Sequence, residues 1–551
     1  MRCGMSEYTA TVKDGTKVKL NRGFKKFAQK FRMSKDDKIK FQYYNYLSLP
    51  IKDNYIFYEA FLGLGILDSP RALFNYLLDS KDADQYTHVW AVADIEKTGD
   101  NLKEYSEYSN VIIVQKGSDD YYKYLATCKY LINNSYFDYF FEKRVEQVYI
   151  NTCCGIPFKH VGYDNHSQPV ENSKDLVRNF LMADYLLSAN RFMTDTLYKH
   201  AFMLEGIFQG KILELGYPRI DTILNSNTAV VYKRLENCGF DTNKKIILYA
   251  PTWRGNVNSV DFNLDGIKDA ISKMSDAIDE TRYQICLRVH YYLYEALAKD
   301  PDLSKFLVPF TIDTSELLTV TDVLITDYSA IFYDFLITQL PILFYLPDYK
   351  DYRKSRGLYI PAKKLPGYAT SDMDLVAASL TAICNDPEQY MEYYGENYYE
   401  LMKKSLEGED GESCQRIVNT ILRNKNTPIA VNTLKNYKKQ TLVIVDIDTN
   451  GKTFYDQLNE YLDNVNFFDN DITILVTAFK DTYNREYFNA LATKIRVLEW
   501  HRLPYELKRD DSFFAREVRR TLGNSDFDEV KFIGKVSEYW AEFANNVIKL
   551  S

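Results

Sequence analysis

Residues able to do chemistry gather at a few points of this 551-residue chain, each at the end of an apolar run. "YINTCCGIPFKHVGYDN" (149–165) sets adjacent cysteines, Cys153 and Cys154, before a Gly155-Ile156-Pro157 turn, with Lys159, His160 and Asp164 following. "YAPTWRGN" (249–256) places Arg254 just beyond "KIILYA". A guanidinium there can grip phosphate oxygens with two parallel hydrogen bonds, or simply form a surface ion pair. "CLRVHYYL" (286–293) brings Arg288 and His290 out of another run. Such a histidine can donate to a phosphoryl oxygen, act as general acid, or be a satisfied structural residue. "DVLITDYSAIFYDFLITQ" (322–339) ends a run at Asp327, turns through Tyr328 and Ser329, and opens a helix. Amides at a helix start, with a serine hydroxyl, suit a phosphate; Asp334 further along can hold a ribose or orient another side chain. The sequence has no G-x-x-x-x-G-K-[ST] loop, no clean G-x-G-x-x-G and no G-x-S-x-G, so neither a P-loop, a dinucleotide fingerprint nor a nucleophile elbow applies.

These loops need a scaffold that brings strand ends together. Candidate strands are 54–61, 87–93, 111–115, 129–134, 146–151 and 184–189, then 211–216, 245–251, 283–290, 306–310, 322–327 and 341–346, with helical patterns between them. Near-continuous apolar strands alternating with helices indicate parallel sheets covered on both faces. Two such series predict two facing, doubly wound α/β domains, whose ligands bind beyond the carboxyl ends of the strands. The expected division is a basic amphipathic segment (1–45), two halves (46–210 and 211–425), a polar linker (426–440) and a small C-terminal α/β region (441–551). That region opens with "VDIDTN" (445–450), a DxD-like strand end that more often is merely polar.

Composition narrows the classes. A net charge of -8 argues against a nucleic-acid binder. Residues 13–40 nevertheless hold eleven Lys or Arg, with Phe24, Phe27, Ala28 and Phe31 at helical spacing. Such a segment suits an anionic membrane surface, or packs its aromatic face on the main body. No apolar run reaches the length of a membrane span and no signal-peptide core opens the chain, so a cytoplasmic protein is expected. The eight cysteines form no CxxC pair, and the six histidines do not join them at zinc spacing.

The segments "YEAFLGLGILDSPRALFNYLL", "YLINNSYFDYFFEKRVEQVYINTCCGIPFKHVG", "LGYPRIDTIL", "ILYAPTWRG", "LRVHYYL", "LITDYSAIFYDFLITQLPILFYLPDYKDYRKSRGLY" and "EDGESCQRIV" follow one another in a telling order. From residue 50 or so to 424 the chain resembles the CDP-glycerol glycerophosphotransferases (TagB/TagF-like) of teichoic-acid and capsule synthesis. The resemblance implies a GT-B-like fold with the site between two Rossmann-like halves, acceptor side first and CDP-donor side second. It implies transfer of an alditol phosphate, glycerol phosphate foremost, from CDP-glycerol or CDP-ribitol to a hydroxyl of a lipid-linked saccharide or polyol-phosphate acceptor. CMP would leave, at the inner face of the cell membrane, and neither a metal nor another cofactor is implied. Arg254, His290 and Ser329 match positions that bind the donor pyrophosphate, and Asp334 matches one on the nucleotide side. Gly155, Pro157, Lys159 and His160 fall in the acceptor loop.

Three departures stand out. Ala330 replaces a frequent second serine, and Asp68-Ser69-Pro70 replaces Asp-Asn-Pro. The loop that usually reads Trp-His-Gly-x-Pro-x-Lys, its His the proposed base, here reads Cys153-Cys154-Gly155-Ile156-Pro157-Phe158-Lys159. Three readings stay open: Cys154 serves as base beside cations; His160 or Asp164 takes over; or the acceptor half is silent and the protein is a donor-binding scaffold. A nucleotide-sugar glycosyltransferase on the same architecture is the other alternative. The expected catalytic set is therefore His290, Cys154 and Asp334.

Overall fold

Apolar β-rich runs flanked by helices fold as their pattern requires, into parallel strands buried on both faces. The computed structural model describes residues 10–11, 17–18, 35–96, 98–167, 169–256, 259–261, 263–425, 429–446, 452–477, 485–499 and 544–550. The aromatic stripe Phe24–Phe31 and residues 447–450 of the DxD-like stretch lie outside them.

The first sheet runs in the order Ala430–Asn432, Lys211–Glu214, Tyr185–Ser188, Val148–Asn151, Cys128–Asn133, Lys52–Glu59, Thr87–Val92, Val111–Gln115, parallel except at the Ala430–Asn432 edge. The second, wholly parallel, is Tyr283–Leu287, Lys245–Ala250, Val323–Thr326, Ile342–Tyr345, Tyr368–Thr370. A third parallel sheet, Arg496–Glu499, Asn470–Thr477, Lys439–Asp446, Asn546–Leu550, forms the C-terminal unit. The α/β class with parallel sheets is as expected. Among the described residues no helix is long and apolar enough to cross a membrane.

Three expectations fail in detail. The strand Lys211–Glu214 joins the first sheet, not a second half beginning at 211, and the chain returns at its end to the same body: Cys414, Ile417, Val418, Ile421 and Leu422 pack with Ile56, Tyr58 and Trp90. The polar "linker" supplies the antiparallel edge strand Ala430–Asn432 and buries Leu434. An edge strand pairs on one side only, so it needs little apolar pattern. "FLVPF" (306–310) is not a strand beyond one bridge, Leu307 with Leu287. Pro309 lacks an N–H, and the buried Arg288 guanidinium takes the carbonyls of Val308, Pro309 and Ile312 at 3.3, 2.9 and 2.7 Å.

Helix Lys35–Tyr46, where the basic segment ends, is packed on the body. Tyr43 is buried and donates to the Glu142 carbonyl at 3.1 Å, and Lys40 Nζ lies 4.7 Å from the Tyr139 ring centre.

Candidate functional site

The expected residues stand beyond the carboxyl ends of parallel strands, in the loops that follow or, for Asp334, in the helix Ile331–Phe335. On the second sheet, Asp327 organises the corner. Its Oδ1 accepts from the Thr252 and Tyr328 amides at 2.9 and 2.5 Å, and its Oδ2 from Arg254 Nη1 at 3.0 Å. Arg254 Nε and Nη2 also grip Asp348 at 2.9 and 3.1 Å. The guanidinium lies 4.9 and 5.1 Å from the rings of Tyr328 and Tyr352, themselves stacked 3.7 Å apart. Arg254 is thus built into a carboxylate–aromatic clamp, and no simple surface ion pair. A phosphate approaching it displaces Asp348, whose side chain is 37% exposed, more readily than Asp327 at 6%.

His290 sits 5.8 Å from the Trp253 ring. Burial, then the Lys159 charge, pushes its imidazole down to about 4, so it is neutral at ordinary pH. Ser329 Oγ accepts from the Ile331 amide at 3.3 Å, in the turn just ahead of the short helix Ile331–Phe335. Arg288 is turned inward on Phe310 and serves the loop described above.

The cysteine-bearing loop leaves the first sheet at Asn151. Asn151 Oδ1 accepts from the Cys153 amide at 2.9 Å, holding Cys153 at φ +53. Cys153 is buried and Cys154 exposed. The Cys154 thiol is held below its ordinary range, first by the Cys153 thiol and then by Arg219. Gly155 turns at φ +107, where an added Cβ would stand 3.0 Å from Arg219 Nη2. Beyond it the loop docks across to the second body. Phe158 meets the Phe332 ring edge-on at 5.1 Å, Lys159 bridges Leu358, and the His160 and Tyr359 amides donate to the Gly357 and Phe158 carbonyls at 3.2 and 3.0 Å.

His160 and Asp164 are committed to this docking. The His160 ring packs 4.6 Å from Tyr359 with Nδ1 3.2 Å from the Asp164 carbonyl, and Tyr359 donates to Asp164 Oδ2 at 2.6 Å. Lys159 lies in the field of Asp327, Arg356, Arg254 and Cys154; burial, with those two arginines, lowers its ammonium to about 8. Lys159, Arg254 and His290 therefore share one corner with Asp327, although they come from three separate loops.

A second cluster lies beneath the Cys154–Gly155 turn. Arg219, at the start of helix Pro218–Asn225, places Nε 3.1 Å from Asp68 Oδ1 and Nη1 3.2 Å from Asp334 Oδ2. Its guanidinium lies 4.9 Å from the Tyr217 ring. Asp68 adopts φ +61, unusual for a residue with a Cβ. Its amide donates to Asp313 Oδ2 at 2.7 Å, and its Oδ2 accepts from Asn134. Asp334 thus faces Arg219 and Asp68. Burial raises its carboxyl to about 6 against the pull of Arg219. Arg219 was not singled out from sequence as a site residue. Its signal was available in "GYPRID": a proline opening a helix straight after an apolar strand, followed by an arginine.

Residues 41–423 match the family model of CDP-glycerol:poly(glycerophosphate) glycerophosphotransferases. The chain is 31% identical over 391 residues to the teichoic acid poly(glycerol phosphate) polymerase of Bacillus spizizenii, covering 68% of this chain and 93% of that one. It is likewise 31% identical to the teichoic acid glycerol-phosphate transferase of Staphylococcus aureus, covering 68% and 94%. A solved structure of a variant of the wall teichoic acid polymerase TagF, soaked with CDPG, superposes with a TM-score of 0.61 at 25% identity, covering 73% of this chain and 96% of that one.

Proposed function

The chain belongs to the CDP-glycerol:poly(glycerophosphate) glycerophosphotransferase family, and on that premise we propose that it moves glycerol phosphate from CDP-glycerol to an acceptor hydroxyl in teichoic acid or capsule synthesis, releasing CMP. The observation that carries this reading is the corner where Lys159, Arg254 and His290 converge around Asp327. Phosphoryl transfer asks a protein mainly for positioning and charge neutralisation, and such a corner suits a diphosphate. In this reading the molecule is GT-B-like: the first sheet carries the acceptor and the second the CDP donor. Arg254 and Lys159 neutralise the diphosphate, neutral His290 donates a hydrogen bond to it, and the Ser329 turn receives a further oxygen. The acceptor hydroxyl attacks the β-phosphorus in line.

Purified protein, given CDP-glycerol and a lipid-linked saccharide primed with glycerol phosphate, releases CMP, and His290→Ala slows the release about 10²-fold or more. Release of UDP from a nucleotide sugar instead would replace this reading with a glycosyltransferase. Replacement of the family imidazole by Cys154 favours a second reading, a scaffold that binds CDP-glycerol without turning it over; calorimetric binding with no CMP release from any acceptor would establish it. The proposed place of work is the inner membrane face, reached through residues 13–40. Deleting residues 1–34 then abolishes co-sedimentation with vesicles containing anionic lipid, and unchanged binding rejects that anchor.

A further inference from the structure

We infer that Asp334 is the general base for the acceptor hydroxyl, and that Arg219 holds it in place. The inference rests on the transferase reading above and moves Asp334 from the nucleotide side to the acceptor side.

Three observations carry it. Asp334 belongs by contact to the group beneath the Cys154–Gly155 turn, where the missing imidazole would have stood: its Oδ2 is 3.2 Å from Arg219 Nη1, and Arg219 Nη2 lies against Gly155. Arg219, with a side chain only 11% exposed, keeps Nη2 buried without a hydrogen-bond partner. An unsatisfied buried donor costs roughly 1–3 kcal/mol, a cost met with where a site awaits a ligand oxygen. Of the two carboxylates on Arg219, Asp68 is 4% exposed and Asp334 17%, so a substrate hydroxyl reaches Asp334. His160 and Asp164 are already engaged in docking the loop.

The step balances simply. The acceptor O–H bond breaks and its proton passes to an Asp334 oxygen. The hydroxyl electron pair forms the new bond to the β-phosphorus, and the bond from that phosphorus to CMP breaks with its pair on the departing phosphate. Solvent then takes the proton from Asp334. The groups acting on Asp334 set its affinity. Burial, Asp68 and Asp313 hold the proton on, and Arg219, itself facing Cys154, drives it off; Glu409, pushed up to about 8 by burial and the Asp334 charge, keeps its own proton through that range. The carboxyl sits near 6, close enough to working pH for a base.

The test is a pH profile of kcat/KM for the acceptor at saturating CDP-glycerol, beside calorimetry of the donor alone. The wild type loses rate on an acid limb near pH 6. Asp334→Asn loses about 10²–10⁴-fold in kcat and loses the limb, yet binds CDP-glycerol as the wild type does, which also shows that it folds. Asp334→Glu, which keeps a carboxylate beside Arg219, restores part of the rate and a displaced limb. Wild-type rate in Asp334→Asn overturns the assignment, and a limb that survives there and vanishes in Cys154→Ser overturns it too and makes the thiolate the base. A wild type that releases no CMP with any acceptor overturns the transferase reading instead, and this inference with it.

Discussion

Lys159 is the residue on which the two sides of the site meet. Its ammonium lies among Asp327, Arg254, Arg356 and Cys154, and its own charge is felt at His290. Desolvation and the neighbouring arginines lower it to about 8 in the free protein. A bound diphosphate adds negative charge and raises it again. Below that value Lys159 already carries its proton and donor affinity does not change with pH. Above it, the free protein must take up a proton to bind, so the Kd for CDP-glycerol rises by up to about tenfold per pH unit until the bound-state value is reached. Calorimetry at pH 8.5–9 in two buffers of different ionisation enthalpy reports that uptake directly. Lys159→Arg, charged throughout, flattens the dependence. A wild-type profile already flat across this range would show that Lys159 does not sense the donor.

At the scale of elements, the acceptor loop is held by a three-residue dock, residues 158–160 against 357–359. Gly357 turns there at φ +72, and a Cβ on it would stand 2.2 Å from His160 Nδ1. Gly357→Ala therefore carries a steric clash as well as backbone strain of roughly 1–3 kcal/mol. Adding His160→Ala relieves the clash and leaves the strain. Urea denaturation should show the double variant recovering part of the single variant's loss; no recovery would mean that the His160 ring does not bear on this turn. The strands that set up this dock were legible because a buried parallel strand must be apolar almost throughout. Their ends, and hence Arg254, His290, Ser329 and the Gly155–Lys159 loop, could be placed for the same reason. Which sheet a strand joins was not legible. Lys211–Glu214 looks like any other apolar run, and only its pairing with Tyr185–Ser188 assigns it. Asp334 was legible as a candidate, but its pairing through Arg219 with Asp68 was not, because ion pairs 151 and 115 residues apart in sequence (219 − 68 and 334 − 219) leave no periodic trace.

Over the whole molecule, the two large bodies are tied by charge, and the C-terminal unit leans on the site from behind. Glu316 takes Arg71 and Arg234 at 2.8 Å each, and Arg234 reaches on to Glu104 at 2.6 Å, so both bodies share one ion-pair network, buried at Arg71 and Glu316 and open at Glu104. The C-terminal unit attaches directly after the acceptor loop. Tyr163 donates to the Val497 carbonyl at 2.7 Å, and Arg496 donates to the Glu205 carbonyl at 3.0 Å and to the Met203 carbonyl while pairing with Asp471. Tyr163 stands three residues beyond His160, so loosening this contact frees the anchored end of the loop. Arg496 is buried, and removing it leaves Asp471 short of its partner at a cost of roughly 3–5 kcal/mol. Arg496→Ala is expected to speed amide hydrogen exchange in the C-terminal sheet and in residues 155–165, while strand Val323–Thr326 keeps its protection. Transfer should slow with the freed loop, and donor affinity should fall only by the part that Lys159 supplies, because Arg254 and His290 stand on the other body. Unchanged exchange over 155–165 would mean that the C-terminal unit docks without bracing the loop that receives the acceptor.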